Sequence, residues 1–268
     1  MGATDGAGGG GRISVELADE IGRIVLDQPR ARNAISAAMW AALPDAVAGL
    51  ETDPRVKVVV VTGAGTEAFS AGADISEFAT VYATPAAARA QNDLVRAGQQ
   101  ALFDCAKPTI AVIRGPCVGG GCGLALHADL RFAATSAVFA IPPARLGTVY
   151  SFADARRLVE KVGQSRAADL LFSGRTVAAE EALRIGLVDF VHPDETLEGA
   201  VSAYLAGLCR LSQLSLRSQK AILREIASGA AEETPAARRL LDEAFAGEDF
   251  REGYAAFLEK RRPEFPFR

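Results

Sequence analysis

The chain has 268 residues, 49% of them hydrophobic, with 29 basic and 33 acidic side chains for a net charge of −4. That length and apolar content supply core for one large α/β domain or two small ones, and the acidic balance excludes an overall positive field able to hold nucleic acid. No apolar run approaches the roughly 18–20 residues that span a bilayer, and the amino terminus MGATDGAGGGGR has neither a charged nor an apolar leader segment. A flexible polar tail over 1–12, on a cytoplasmic protein with no membrane partner, is the expectation.

In chain order, 13–29 (ISVELADEIGRIVLDQP) alternates like a hairpin, with Asp19-Glu-Ile-Gly22 as its turn. Ser36 is placed to cap a helix over SAAMWAALPDAVAGLETD, which Pro44 should kink or divide. The run VKVVVVTG (56–63) is almost purely β-branched, the pattern of a strand buried on both faces. TIAVIRG (109–115) repeats it, and LRFAAT (130–135) supplies a shorter strand. Between the first two lie a glycine-containing loop, AFSAGADISEF (68–78), and a long helical stretch over about 85–105. From Asp154 onward the sequence is largely helical, with VDFVHP (188–193) alone looking extended. Strands alternating with helices predict an α/β fold with parallel pairing. No linker divides the chain. Cys105, Cys117, Cys122 and Cys209 form no CxxC pair and the chain has two histidines, so buried reduced thiols are expected and a metal site is not.

Two loops have the makings of an oxyanion hole. The triplet Gly119-Gly120-Gly121 precedes a small-residue helix, CGLALHADL, so free backbone N–H groups and the positive end of the helix dipole converge there. The loop FSAGADI follows a strand and also offers N–H groups beside glycine. Two such donors on one carbonyl oxygen would stabilise an enolate or tetrahedral oxyanion, since removing one typically costs roughly 3–4 kcal/mol. Each loop alone is equally compatible with close packing.

The pair, in this order and spacing, resembles the crotonase or enoyl-CoA hydratase/isomerase superfamily. The matching text is DQPRARNAIS (27–36), AFSAGADISEF (68–78), AKPTIAVIRGPCVGGGCGLALHADLRFAATSAVFAIPPARLG (106–147) and EDFREGYAAFLEKRRPEF (248–265). The resemblance implies one domain over 13–268: a spiral of β-β-α turns over 13–195, then a helical region over 196–268 that builds homotrimers or hexamers. It implies an acyl-coenzyme A thioester as substrate, with no separate cofactor because coenzyme A belongs to the substrate. By the same resemblance the carbonyl is held by the N–H groups of Ala73 and Gly120. Backbone around Ala71, Asp74 and Ile75 lines the adenine and pantetheine path, Arg30 lies near a phosphate, and Phe257 and Lys260 reach the coenzyme from a neighbouring subunit. Read from the residues alone, Asp74 is a loop or cap acceptor and Lys260 a solvated basic end.

The hydratase pattern needs two carboxylates, one activating water and one delivering a proton to the α-carbon. The resemblance puts them at Gly123 and Pro143 here, and neither residue can move a proton. Ser151 stands where other members of the superfamily carry an aspartate, and no base for a serine nucleophile is identifiable beside it. LGTVY and the carboxyl-terminal segment resemble methylmalonyl-CoA decarboxylase-like members, although some of those carry histidine where this chain has Ala73. Decarboxylation of a malonyl-type thioester leaves an enolate that an oxyanion hole can hold without a base, with Tyr150 orienting a carboxylate or donating a hydrogen bond. That is the leading expectation for the reaction. The alternatives are an enoyl-CoA hydratase/isomerase of fatty-acid metabolism using an unplaced carboxylate such as Glu77 or Asp154, and a catalytically silent acyl-CoA-binding protein. Asp154 itself reads first as a cap or first-turn charge.

Overall fold

A computed structural model describes residues 10–266. Of the tail expected over 1–12, residues 1–9 lie outside the described residues, and Arg12 already opens β1. The strands are β1 (Arg12–Ala18), β2 (Ile21–Asp27), β3 (Val58–Gly63), β4 (Thr109–Ile113), β5 (Pro116–Val118), β6 (Leu130–Ala134), β7 (Val138–Ala140), β8 (Thr176–Ala178) and β9 (Phe190–His192). The helices are α1 (Ala37–Thr52), α2 (Phe78–Val81), α3 (Pro85–Asp104), α4 (Gly120–His127), α5 (Phe152–Val162), α6 (Gln164–Ser173), α7 (Ala179–Arg184), α8 (Leu197–Cys209), α9 (Gln213–Ala227), α10 (Pro235–Ala246) and α11 (Glu248–Glu259).

Six strands form one sheet in the order β1-β2-β3-β4-β6-β9. The β1–β2 hairpin is antiparallel and every other pair is parallel. Alternate valines of β3 explain its unbroken β-branched run. Val59 and Val61 pack with Ala111 and Ile113 against α1, α3 and α4, whereas Val58 and Val60 join Ile110, Val112 and Phe132 over Leu197, Val201 and Leu205 of α8. A period-2 strand with helices on both sides has no polar face, and each valine so buried contributes roughly 1.5–3 kcal/mol.

A second sheet, β5-β7-β8, has no counterpart in the sequence reading. Its strands are three residues each, too short for alternation to register. Two further expectations change. The hairpin turn is tighter than Asp19–Gly22: Asp19 takes a left-handed φ of 53°, and Gly22 already pairs with Leu17. Gly22 is glycine for packing, because a Cβ there would stand 2.5 Å from Leu50. Pro44 does not divide α1, which runs unbroken from a Ser36 cap whose hydroxyl accepts the Met39 N–H. Burial of Met39, Trp40, Leu43, Val47 and Leu50 on one side holds the helix through the missing hydrogen bond.

Candidate active site

The glycine loop and the start of α4 are stitched together by β5. Ser70 accepts from Val118 N and donates its N–H to the Pro116 carbonyl, at 2.9 and 3.0 Å. On its other edge the same loop pairs with 32–35: Ala71 N donates to Arg32 O, Ile35 N to Gly72 O, and Asp74 N to Ile35 O. Residues alternate in direction along an extended segment, so the Ala73 N–H points away from Ile35 toward the β5 side. The approach is close enough that only glycine fits. Gly72 has φ +100°, and a Cβ on it would lie 2.9 Å from the Val118 oxygen and 3.8 Å from the Gly120 nitrogen. One on Gly121 would stand 2.8 Å from Ser70 Cβ.

Gly119, with φ 52° and ψ −113°, breaks the chain direction and starts α4 without a side-chain cap. The first helical N–H groups then lack intrahelical acceptors. Among the described residues neither Ala73 N–H nor Gly120 N–H has a hydrogen-bond acceptor. Two unsatisfied donors from adjoining loops, one at a helix N-terminus, form a cradle for a carbonyl oxygen that gains negative charge.

The other expected residues are distributed around this cradle. Ala71 and Ile75 are exposed on the loop. Asp74 is a cap: its Oδ1 accepts from Ser76 N and Oγ, its Oδ2 accepts from Gln28 Nε2, and these bonds hold its pKa below the usual carboxylate value. Arg30 and Arg32 line a surface hollow of about 440 Å³ beside Asn33 and Gly65. Phe257 and Lys260 sit at the end of α11, both exposed, with Lys260 in the left-handed region as its C-cap. Glu77 is spent on structure, its Oε2 accepting the Ala37 N–H at 2.7 Å and so satisfying the start of α1. Pro143 opens a 3-10 turn, Pro143–Leu146.

Gly123 carries no carboxylate, as expected, but one from another helix lies against it. A Cβ on Gly123 would stand 2.5 Å from Asp154 Oδ1 and closer still to Gln99 Nε2. Asp154 is 4% exposed and Gln99 1%. Ser151 caps α5, and its Oγ accepts from Asp154 N at 3.0 Å while donating to Asp154 Oδ2 at 2.6 Å. The capping expected of Asp154 is therefore present, with Ser151 as the cap and Asp154 as its reciprocal partner. It uses only one carboxylate oxygen. Asp154 Oδ1, Gln99 Nε2 and the Tyr150 hydroxyl are all buried and complete no hydrogen bond among the described residues.

Burial, partly opposed by the Ser151 hydroxyl, by His127 and by the Gln99 amide, raises the Asp154 pKa above the ordinary carboxylate value. Burial, reinforced by the Asp154 charge, pushes Tyr150 well up, so the phenol stays protonated. Behind Gly123, His127 Nδ1 meets the Gly123 carbonyl at 2.7 Å, and desolvation lowers its pKa.

Gln99 did not emerge from the sequence. The signal was its spacing: Gln91, Gly98, Gln99 and Leu102 make one buried stripe of α3, so glutamine there faces inward.

The chain matches the enoyl-CoA hydratase/isomerase family over residues 16–267. A Mycobacterium tuberculosis protein named "Probable enoyl-CoA hydratase" is 37% identical over 257 residues, covering 96% of this chain and 98% of its own. The crotonyl-CoA hydratase of Syntrophomonas wolfei is 34% identical, covering 94% and 97%. A solved enoyl-CoA hydratase/isomerase family structure from Hyphomonas neptunium superposes with a TM-score of 0.93 at 43% identity, covering 96% and 98%. With the paired glycine loops and the layered α/β fold, these matches make the chain a member of the enoyl-CoA hydratase/isomerase family, within the crotonase superfamily.

Proposed function

We propose that the protein performs hydratase- or isomerase-type chemistry on an acyl-coenzyme A thioester, without a separate cofactor. The observation that carries this reading is the pair of acceptor-less N–H groups at Ala73 and Gly120, set for a thioester oxygen that becomes an enolate oxygen. The names of the relatives support it. Decarboxylation of a malonyl-type thioester was the expectation raised by Gly123 and Pro143, on the premise that no carboxylate reaches the site. The Asp154 carboxylate beside Gly123 weighs against that premise, since a carboxylate there would disfavour a second one on the substrate.

Arg30, with Arg32 beside it, is proposed for a coenzyme phosphate, and the backbone of Ala71, Asp74 and Ile75 for the adenine and pantetheine arm. Phe257 and Lys260 act from a neighbouring copy in a trimer or hexamer. Exposed Leu241, Phe245, Phe250, Tyr254, Phe257 and Leu258 on α10 and α11 support self-association, since so much apolar surface on neighbouring helices favours a partner.

The test is incubation with crotonyl-CoA and a 3-enoyl-CoA, and separately with malonyl- and methylmalonyl-CoA, following enoyl absorbance and carbon dioxide. Turnover of an enoyl thioester is expected. Carbon dioxide release with inert enoyl thioesters would establish the decarboxylase instead, and a raised melting temperature with no turnover would establish a binding protein. Light scattering on the same preparation should give a trimer or hexamer mass; a monomer would remove Phe257 and Lys260 from the coenzyme site.

A further inference from the structure

We propose that Asp154 is the catalytic base of this site, its carboxylate reaching from α5 into the space that a side chain at position 123 would fill, with Gln99 and Tyr150 as positioning residues. The assignment rests on the thioester reading above, and it identifies which group moves the proton.

Three independent observations converge on one place. The first is steric: Asp154 Oδ1 lies 2.5 Å from where a Gly123 Cβ would be, so glycine at 123 is what admits a carboxylate from another helix. The second is hydrogen bonding. Ser151 holds Oδ2 and fixes the rotamer, while Oδ1, at a residue 96% buried, has only the Gln99 amide turned toward it and completes no well-formed hydrogen bond. A buried carboxylate oxygen without a completed hydrogen bond is costly, and sites where such a group persists are commonly functional. The third is company. Gln99 Nε2, which faces the Asp154 carboxylate, and the Tyr150 hydroxyl, which feels its charge, are also buried without a completed hydrogen bond, two donors around one acceptor. Capping accounts for Oδ2 and leaves all three of these atoms unexplained.

Placement relative to the oxyanion cradle suits proton transfer. Gly120 and Gly123 are one turn apart on α4, roughly 5 Å along the axis. That is about the separation between a thioester oxygen held at Gly120 and a base addressing the hydrogen on the adjacent α-carbon. In the step, the α C–H bond breaks and an Oδ1–H bond forms. The electron pair passes onto the thioester oxygen, held as an enolate by Ala73 and Gly120. Return of the proton to the α-carbon reverses the step, and its delivery to the γ-carbon of a 3-enoyl thioester shifts the double bond.

The groups facing Asp154 are His127 from α4, Gln99 from α3, and Tyr150 and Ser151 ahead of α5, with Cys122 beyond Tyr150 and Arg157 and Glu160 in the same charged cluster on α5. Burial raises the carboxyl above its ordinary value of 3.8, so the base ionises at higher pH than an exposed aspartate. Activity should therefore rise with pH through a limb displaced above the ordinary carboxylate range.

The experiment compares wild type with Asp154→Asn and Tyr150→Phe. It measures turnover of 3-enoyl- and 2-enoyl-CoA, and exchange of the α-protons of butyryl-CoA in D₂O. Asparagine keeps the shape and the cap acceptor, and a melting curve with and without butyryl-CoA verifies folding and binding. The expected result is a loss of about 10²–10⁴-fold in kcat and in exchange for Asp154→Asn, with KM little changed and the acidic limb abolished. Tyr150→Phe should lose less and shift that limb without removing it. Exchange within tenfold of wild type in Asp154→Asn, or a loss confined to KM, overturns the assignment while leaving the thioester reading in place. A wild type inert toward every thioester overturns the functional reading and this assignment together.

Discussion

Gly123→Glu, which would restore a side-chain carboxylate at the position that the family resemblance marks as empty, is expected to destabilise the protein and not to improve it. The new Cβ would stand 2.5 Å from Asp154 Oδ1, and Asp154 is tied by two hydrogen bonds to Ser151. Gln99 is the far end of a flexible side chain and can swing aside; the buried Asp154 carboxylate moves only by giving up its hydrogen bond from Ser151 Oγ. Overpacking of this kind costs about 1–3 kcal/mol. Two carboxylates confined in one buried space add to that, because only one can stay ionised. In an Asp154→Ala background the same substitution should cost less, by a coupling of about 0.5–3 kcal/mol for residues in direct contact. Denaturant titration of the four proteins in this cycle measures the coupling. Equal costs in both backgrounds would mean that the Asp154 carboxylate does not occupy the space at position 123.

That relation between Gly123 and Asp154 marks the limit of what the sequence made legible. The sheet was readable because β3 and β4 bury both faces, and an unbroken run of β-branched residues has few other uses. The Ala73 and Gly120 cradle was readable because glycines at strand ends announce backbone that a ligand or another loop must approach, and Gly72 and Gly121 do stand where a Cβ would collide. Asp154 reads as a cap or first-turn charge, and it stands in the first turn of α5 as the partner of the Ser151 cap. The spacing cannot show that a carboxylate has a second oxygen, nor that tertiary packing turns that oxygen toward another helix. Gln99 was hidden for a related reason, since a glutamine in an amphipathic helix reads as solvated until the stripe of α3 facing α1 and α4 is known. The small β5-β7-β8 sheet, which joins the two glycine loops, leaves no pattern because three residues contain barely one period.

Gly120→Pro should remove one oxyanion donor while sparing the fold, and so lower kcat by about 10²–10³-fold, or roughly 2.7–4 kcal/mol of transition-state stabilisation. Gly120 is the first helical residue of α4, where proline is well tolerated because its missing N–H has no intrahelical acceptor to lose. The preceding residue is Gly119 at φ 52°, ψ −113°, the mirror image of the extended conformation that proline demands of its predecessor, and glycine accepts both hands equally. The added Cβ meets only Trp40 Cζ2, at 3.2 Å, a contact that slight movement of the ring relieves. Gly120→Ala is the control: it places the same Cβ against Trp40 but retains the N–H. Alanine should keep most of the activity and proline should not, with both melting near wild type. If the two variants retained equal kcat, the Gly120 N–H would not be holding the developing charge. The cradle would then be reduced to Ala73 alone, whose backbone, fixed by the Ile35 pairing on one side and the Ser70 pairing with β5 on the other, has no comparable place for a proline.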